Sequence, residues 1–162
     1  MGHRSVNDPR THMANIQVTH ECSRQETEDW RQQWRLTYAK HGRGAGLHQF
    51  LWHVFSHDRY PALSGEQAEA AYAQHEAVEY VVLPNDASLA FVSSTRPARD
   101  WYLDVYVFPR NLAWTMAFTH EDGYLGPYFA KHPNYTELQC ANNKRLIKQH
   151  EIEVAKRHGW AR

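Results

Sequence analysis

A chain of 162 residues suits one hydrophobic core, and its 18 basic and 18 acidic side chains cancel, which argues against the clustered cationic surface of a nucleic-acid binder. An apolar share of 42% beside 22% charged residues is a globular balance and excludes a disordered chain. No segment reaches the length of a membrane span or forms a signal-peptide core, and Cys22 and Cys140 stand far apart in no CxxC pattern, so a soluble cytoplasmic protein with free thiols and no cofactor is expected.

Residues 1–12, MGHRSVNDPRTH, lack periodicity, and His12-Met13 is a pair that cloning sites encode. A leader or an equally unordered native segment is expected there, followed by a single domain over 13–162. ANIQVT, residues 14–19, reads as a short strand. Ser23 and Glu26 then have capping-box spacing, and Trp30, Trp34 and Tyr38 recur every four residues on one helical face, up to the glycines at 42, 44 and 46. Leu47, Phe50, Leu51, Val54 and Phe55 predict a second amphipathic helix. Ser64 and Gln67 repeat the capping-box spacing and predict a helix from Gly65 to His75, with Ala68, Ala71 and Tyr72 on its packing side.

The period then shortens to two. VEYVVL and SLAFVSS pair through Pro84-Asn85-Asp86, and WYLDVYVF and LAWTMAFT pair through Pro109-Arg110-Asn111. A three-residue loop with Asn111 in the left-handed region would set Phe108 opposite Leu112, Tyr106 opposite Trp114 and Tyr102 opposite Phe118. The segment GPYF reads as a turn that folds Tyr128 and Phe129 back over the sheet, and a last helix runs from about Thr136 to Arg157 as a tail. The expected fold is α+β: N-terminal helices packed on an antiparallel meander of about four strands, with a C-terminal helix.

His120 is the sharpest candidate for chemistry. Alternation along LAWTMAFTH places it on the face of Trp114, Met116 and Phe118, with Asp100 opposite and Asp104 nearby, and an imidazole beside carboxylates can be tuned near neutral pH. The simpler expectation is that THEDGYLGPYF closes the core with a polar cap. His53 and His57 lie one helical turn apart and are candidate metal ligands, though HxxxH alone is a poor signature and no glutamate follows His53. There is no GxSxG turn, no catalytic-cysteine motif and no phosphate loop. The tail from 142 to 162 is mildly basic but carries Glu151 and Glu153, as a solvated helix does.

Leu51-Trp52-His53-x-Phe55-Ser56, Gly65-Glu66-x-Ala68, Asp104-x-Tyr106-Val107 and Thr119-His120-Glu121 with Gly126-Pro127-Tyr128-Phe129 together resemble a small bacterial single-domain family of unknown function, over roughly residues 25–130. The resemblance implies a bacterial cytosolic domain and no particular activity. Two functions are therefore expected from the residues. The first is docking on a protein partner, as the immunity protein of a toxin does, with Trp52, Tyr106 and Tyr128 as aromatic anchors. The alternative is a small hydrolase or ligand-binding enzyme with a pocket at His120, oriented by Glu121 or Asp104 and completed by His53.

Overall fold

Tyr80–Pro84, Val105–Pro109 and Trp114–Phe118 are buried at every position, so a sheet made from them has two apolar faces and must be covered twice. The computed structural model, which describes residues 16–40, 49–99, 104–121 and 124–160, does this with helices on both sides. Along the chain come β1 (Val18–Glu21), α1 (Arg24–Tyr38), α2 (His53–Ser56), β2 (Leu63–Ser64) and α3 (Gly65–Gln74). There follow β3 (Tyr80–Pro84), β4 (Phe91–Ser93), β5 (Val105–Pro109), β6 (Trp114–Phe118), β7 (Tyr128–Lys131) and α4 (Tyr135–Arg157). The described residues form one antiparallel sheet of seven strands in the order β1-β4-β3-β5-β6-β7-β2.

The expected α+β class holds, but the sheet is larger than the meander of about four strands. Its extra members are the segments with the weakest local signal. β1 is four residues long and β2 only two. Tyr128 and Phe129 do not fold over the sheet as expected; they enter it as β7, paired with Met116 and Ala117 on one side and with Leu63 and Ser64 on the other.

Alternate residues point into two separate cores. Val81, Leu83, Tyr106, Phe108 and Ala117 pack against Trp34 and Tyr38 of α1 and against Leu51, Trp52, Val54 and Phe55. Tyr80, Val82, Val105, Val107, Trp114, Met116, Phe118 and Phe129 pack against Ala68 and Tyr72 of α3, with Tyr135 and Leu138 of α4 at the margin. The C-terminal helix is thus anchored to the sheet by its first turns rather than being a tail throughout. Asn111 strengthens that anchor: its amide donates to the Leu138 carbonyl and its Oδ1 accepts from Asn142.

The Ser23–Glu26 capping box is present, with the Ser23 hydroxyl accepting from the Glu26 N–H and the Glu26 carboxylate accepting from the Ser23 N–H. That bond holds the Glu26 carboxyl below the usual carboxylate range. The second predicted box is absent. Ser64 makes no side-chain cap, because it belongs to β2 opposite Tyr128 and the following Gly65 turns at φ +58° to donate to the Pro127 carbonyl. The second predicted helix shrinks to the single turn of α2, and its Leu47 lies outside the described residues.

The β5–β6 register also differs from the expected one. Tyr106 faces Ala117, Val105 faces Phe118 and Val107 faces Met116. The connection is longer than three residues, and Leu112 rather than Asn111 takes positive φ, at 57°. Asn111 instead uses its Oδ1 to accept the Ala113 N–H. An odd shift of pairing reverses which faces meet, so Tyr106 and Trp114 end in different cores. Phe118 faces Val105 and not Tyr102 as expected; Tyr102, the Asp100 expected opposite His120, and residues 1–12 lie outside the described residues.

A histidine joins the two helices of the second core. His75 at the end of α3 meets the Ala71 carbonyl through Nδ1 at 2.6 Å and the Tyr135 hydroxyl through Nε2 at 2.7 Å. A carbonyl only accepts, so Nδ1 carries the proton and Nε2 accepts from Tyr135. Burial, with smaller contributions from Lys131 and Arg96, pushes the His75 pKa down; burial does the same to His132, whose Nδ1 accepts the Asn134 N–H. Both folded-state values lie below the unfolded value of about 6.5. The unfolded chain therefore takes up more protons as pH falls through that value, and stability present above it is lost below it. The urea midpoint should be lower at about pH 5.5 than at about pH 7.5, with a smaller drop in His75→Gln; equal drops in the two proteins would refute the assignment to His75.

Candidate functional site

Asp104 stands just before β5 and His120 just after β6, at the open end of the central hairpin. Period-two alternation no longer governs a residue past the strand end, and His120 turns toward the first core rather than toward Trp114, Met116 and Phe118 as expected. Its Nδ1 lies 2.8 and 3.0 Å from the two carboxylate oxygens of Asp104, and its backbone N–H donates to the same carboxylate at 3.2 Å. The carboxylate is an acceptor only, so Nδ1 carries the proton and the Nε2 lone pair faces away from Asp104. Glu121 lies on that outer side, with Oε1 3.6 Å from Nε2. The imidazole is 38% exposed while the Asp104 side chain is 14% exposed.

Asp104 is held from the core side as well. The Trp52 indole N–H donates to Oδ1 at 2.9 Å. The Trp52 backbone N–H donates to the Tyr106 hydroxyl, and that hydroxyl donates to Asn85 Oδ1 at 2.7 Å. Asn85 also accepts from the Leu51 N–H and donates to the Gln49 carbonyl, so one side chain organises the whole turn that carries Trp52 and His53. Burial drives the Tyr106 phenol well above its ordinary pKa, which keeps it a neutral donor in this network. Sequence reasoning gave Asn85 only the role of a turn former; its position directly after an all-apolar strand was the available signal.

The other sequence candidates gather around this pair to different degrees. Phe50 contacts both imidazoles, with ring centres 5.5 Å from His53 and 5.1 Å from His120, and Trp52 lies 4.5 and 6.3 Å from the same two rings. His53 and His120 thus share aromatic neighbours. His53 Nδ1 is buried without a hydrogen-bond partner. His57 meets His53 edge to face at 5.5 Å, but no third His, Cys, Asp or Glu completes a metal-ligand cluster with them among the described residues. Trp52 and Tyr106 are fully buried and serve the core. Tyr128 stacks on Trp52 and lines a cleft of about 590 Å³ together with Ser56, Asp58, Glu66, Arg99 and Tyr124; His120 is not among the residues lining it.

A sheet covered on both faces, with a histidine–carboxylate pair fixed at the open end of its central hairpin, defines an α+β protein with a polar site at the rim of its core. No helix among the described residues is long and apolar enough to cross a membrane. The chain belongs to the family described as Domain of unknown function (DUF4275), whose model matches residues 11–129. The matched region ends within β7, so α4 follows it. Neither the curated proteins nor the solved structures contain a match to the chain.

Proposed function

We propose that the chain is a small hydrolytic enzyme in which His120 acts as general base. The observation that carries this reading is the anchoring of the His120 Nδ1–H by a largely buried carboxylate, itself fixed by the Trp52 indole, which turns Nε2 to the partly exposed edge, where the Glu121 carboxylate stands 3.6 Å away. In that arrangement Nε2 takes the proton of a water as the water's oxygen attacks an acyl carbon, and Asp104 stabilises the imidazolium that results. The tetrahedral intermediate collapses by breaking the bond from the acyl carbon to the leaving group, which leaves with the imidazolium's proton and regenerates the neutral base. Phe50, half-buried beside the ring, suits an apolar acyl or aromatic portion of the substrate.

Hydrolysis of p-nitrophenyl acetate and p-nitrophenyl butyrate tests the reading. His120→Ala should lower the enzymatic rate by about 10²-fold or more, with an unchanged circular-dichroism spectrum. Asp104→Asn should also slow the reaction, because the amide can keep the imidazole in place but cannot stabilise its charge. A wild-type rate no greater than that of His120→Ala on both esters would sink the proposal.

A second reading, docking on a protein partner in the manner of a toxin's immunity protein, is favoured by one different observation. The α4 helix follows the family-matched region and displays apolar side chains to solvent, with Ile147 61% and Ile152 39% exposed, and Trp160 just beyond it is 78% exposed. Exposed aromatic and aliphatic anchors on a helix are what helix-in-groove recognition uses. Under this reading His120→Ala would leave partner affinity intact, whereas Ile147→Asp and Trp160→Ala would weaken it.

A further inference from the structure

We propose that His20, Cys22 and Glu26 form a binding site for a divalent cation of the zinc class. One imidazole nitrogen, one sulfur and one carboxylate oxygen from these residues all lie within 4.8 Å of one another. Zinc bonds of 2.0–2.3 Å in a tetrahedron set ligand atoms about 3.3–3.8 Å apart, so small side-chain rotations bring the three onto one ion. The closest pair, His20 Nε2 and Glu26 Oε1 at 2.9 Å, has only to open slightly.

Three independent features of the fold hold the donors in place. His20 sits in β1 opposite Val92. Two residues on, Cys22 is pinned by its backbone N–H to the Ala90 carbonyl at 3.0 Å, and its side chain is buried in the first core. Glu26 occupies the third position of α1, where Oε2 serves the capping box and Oε1 points to His20. The cap and the metal would thus use different oxygens of one carboxylate.

The surroundings fit an ion with one position left over. His20 and Glu26 line a cleft of about 410 Å³ with Asp29, Trp30, Gln33 and Arg110. The thiol closes the site from the core side, and the cleft leaves room for water or for Asp29, one turn along α1 from Glu26, as the fourth ligand. A thiolate and a carboxylate together neutralise a divalent cation, and the neighbouring Arg110 is matched by Glu79 at 2.7 Å. The mixed sulfur, nitrogen and oxygen set selects zinc, cobalt or copper over magnesium or calcium. The site is at the β1 edge of the sheet, where His20 pairs with Val92, whereas Asp104 and His120 occupy the open end of the central β5–β6 hairpin, with β4 and β3 between β1 and β5, so it stands apart from the proposed general base.

Cobalt(II) titration of the reduced full chain tests the site, because a cobalt–thiolate bond gives a near-ultraviolet charge-transfer band that histidines elsewhere in the chain cannot produce. The band should saturate at one equivalent and disappear on adding zinc. Cys22→Ser should abolish it and Cys140→Ser should keep it. Glu26→Gln retains a capping residue at the third helical position but loses the charged ligand, and with His20→Gln it should weaken cobalt binding by about tenfold or more, with the circular-dichroism spectrum of the folded chain retained. If Cys22→Ser does not fold, these two variants decide. No band in the wild type, a band that survives Cys22→Ser, or wild-type affinity in both His20→Gln and Glu26→Gln would overturn the proposal.

Discussion

Trp34→Ala is expected to lower the unfolding free energy by about 3–5 kcal/mol, the usual range for removing a fully buried tryptophan. Trp34 has no exposed surface and sits at the centre of the first core, with ring centres 4.8 Å from Tyr106, 5.3 Å from Tyr38 and 5.7 Å from Phe55. Its indole N–H also donates to Thr115 Oγ1 at 2.9 Å. Thr115 is itself fully buried in the middle of β6, so truncation leaves both a cavity and an unpartnered hydroxyl in the sheet. Set against total stabilities of about 5–15 kcal/mol for domains, this one change would remove a large share. Urea unfolding followed by far-ultraviolet circular dichroism measures it. Trp34→Phe separates the terms: it refills most of the volume but still strands Thr115, and should cost about 1–3 kcal/mol. Equal losses for the two variants would mean that packing is not the dominant contribution.

Gly126→Ala should cost about 2–5 kcal/mol, through two effects that act together. The residue has φ +97°, where an L side chain is strained, and a Cβ there would lie 2.9 Å from Thr119 Oγ1, 3.0 Å from Thr119 Cγ2 and 3.2 Å from Tyr128 Cε2. Thr119 cannot simply turn away, because it is buried and its hydroxyl donates to the Leu125 carbonyl. Gly65 provides an internal control, since it has φ +58° but open space around its Cβ position. Gly65→Ala should cost about 1–2 kcal/mol from backbone strain alone. If the two alanine variants unfold at the same urea concentration, the close approach of Gly126 to Thr119 contributes nothing.

That contact also shows what the THEDGYLGPYF segment does in the fold. Thr119 and Gly126 close the loop at its neck, and Pro127, Tyr128 and Phe129 then carry the chain into β7. The His120 at the start of the loop is left half-exposed over Asp104. One stretch therefore holds both a structural closure and the group proposed to carry chemistry, and His120→Ala beside Gly126→Ala distinguishes the two roles by rate and by stability.

Local features were legible in the residues because their causes are local. The Ser23–Glu26 box marks a helix start by hydrogen bonds between neighbours three apart, the Trp30, Trp34 and Tyr38 spacing marks the buried side of α1, and the apolar runs at 80–84 and 105–109 mark strands. The association of Asp104 with His120 was also within reach, since both flank the same hairpin, although the face assigned to His120 was wrong. Ser64 misled because its capping spacing competes with a strand pairing that only Tyr128 reveals. Cys22 read as a bare thiol because His20 belongs to a strand and Glu26 to the helix after it, and sequence distance does not report that their donor atoms meet.

An α+β chain with no net charge, a capped first helix, apolar strands and a histidine next to acids at a strand end all follow from the residues alone. Contacts between distant segments set the rest: seven strands among the described residues instead of about four, the odd register that sends Tyr106 and Trp114 to opposite faces, the Asn85–Tyr106–Trp52–Asp104 chain behind His120, and the meeting of His20, Cys22 and Glu26. The division has a physical reason. Periodicity and capping express how a segment interacts with its own neighbours, whereas register, sheet order and site geometry depend on which distant segments bury one another's surface and satisfy one another's hydrogen bonds.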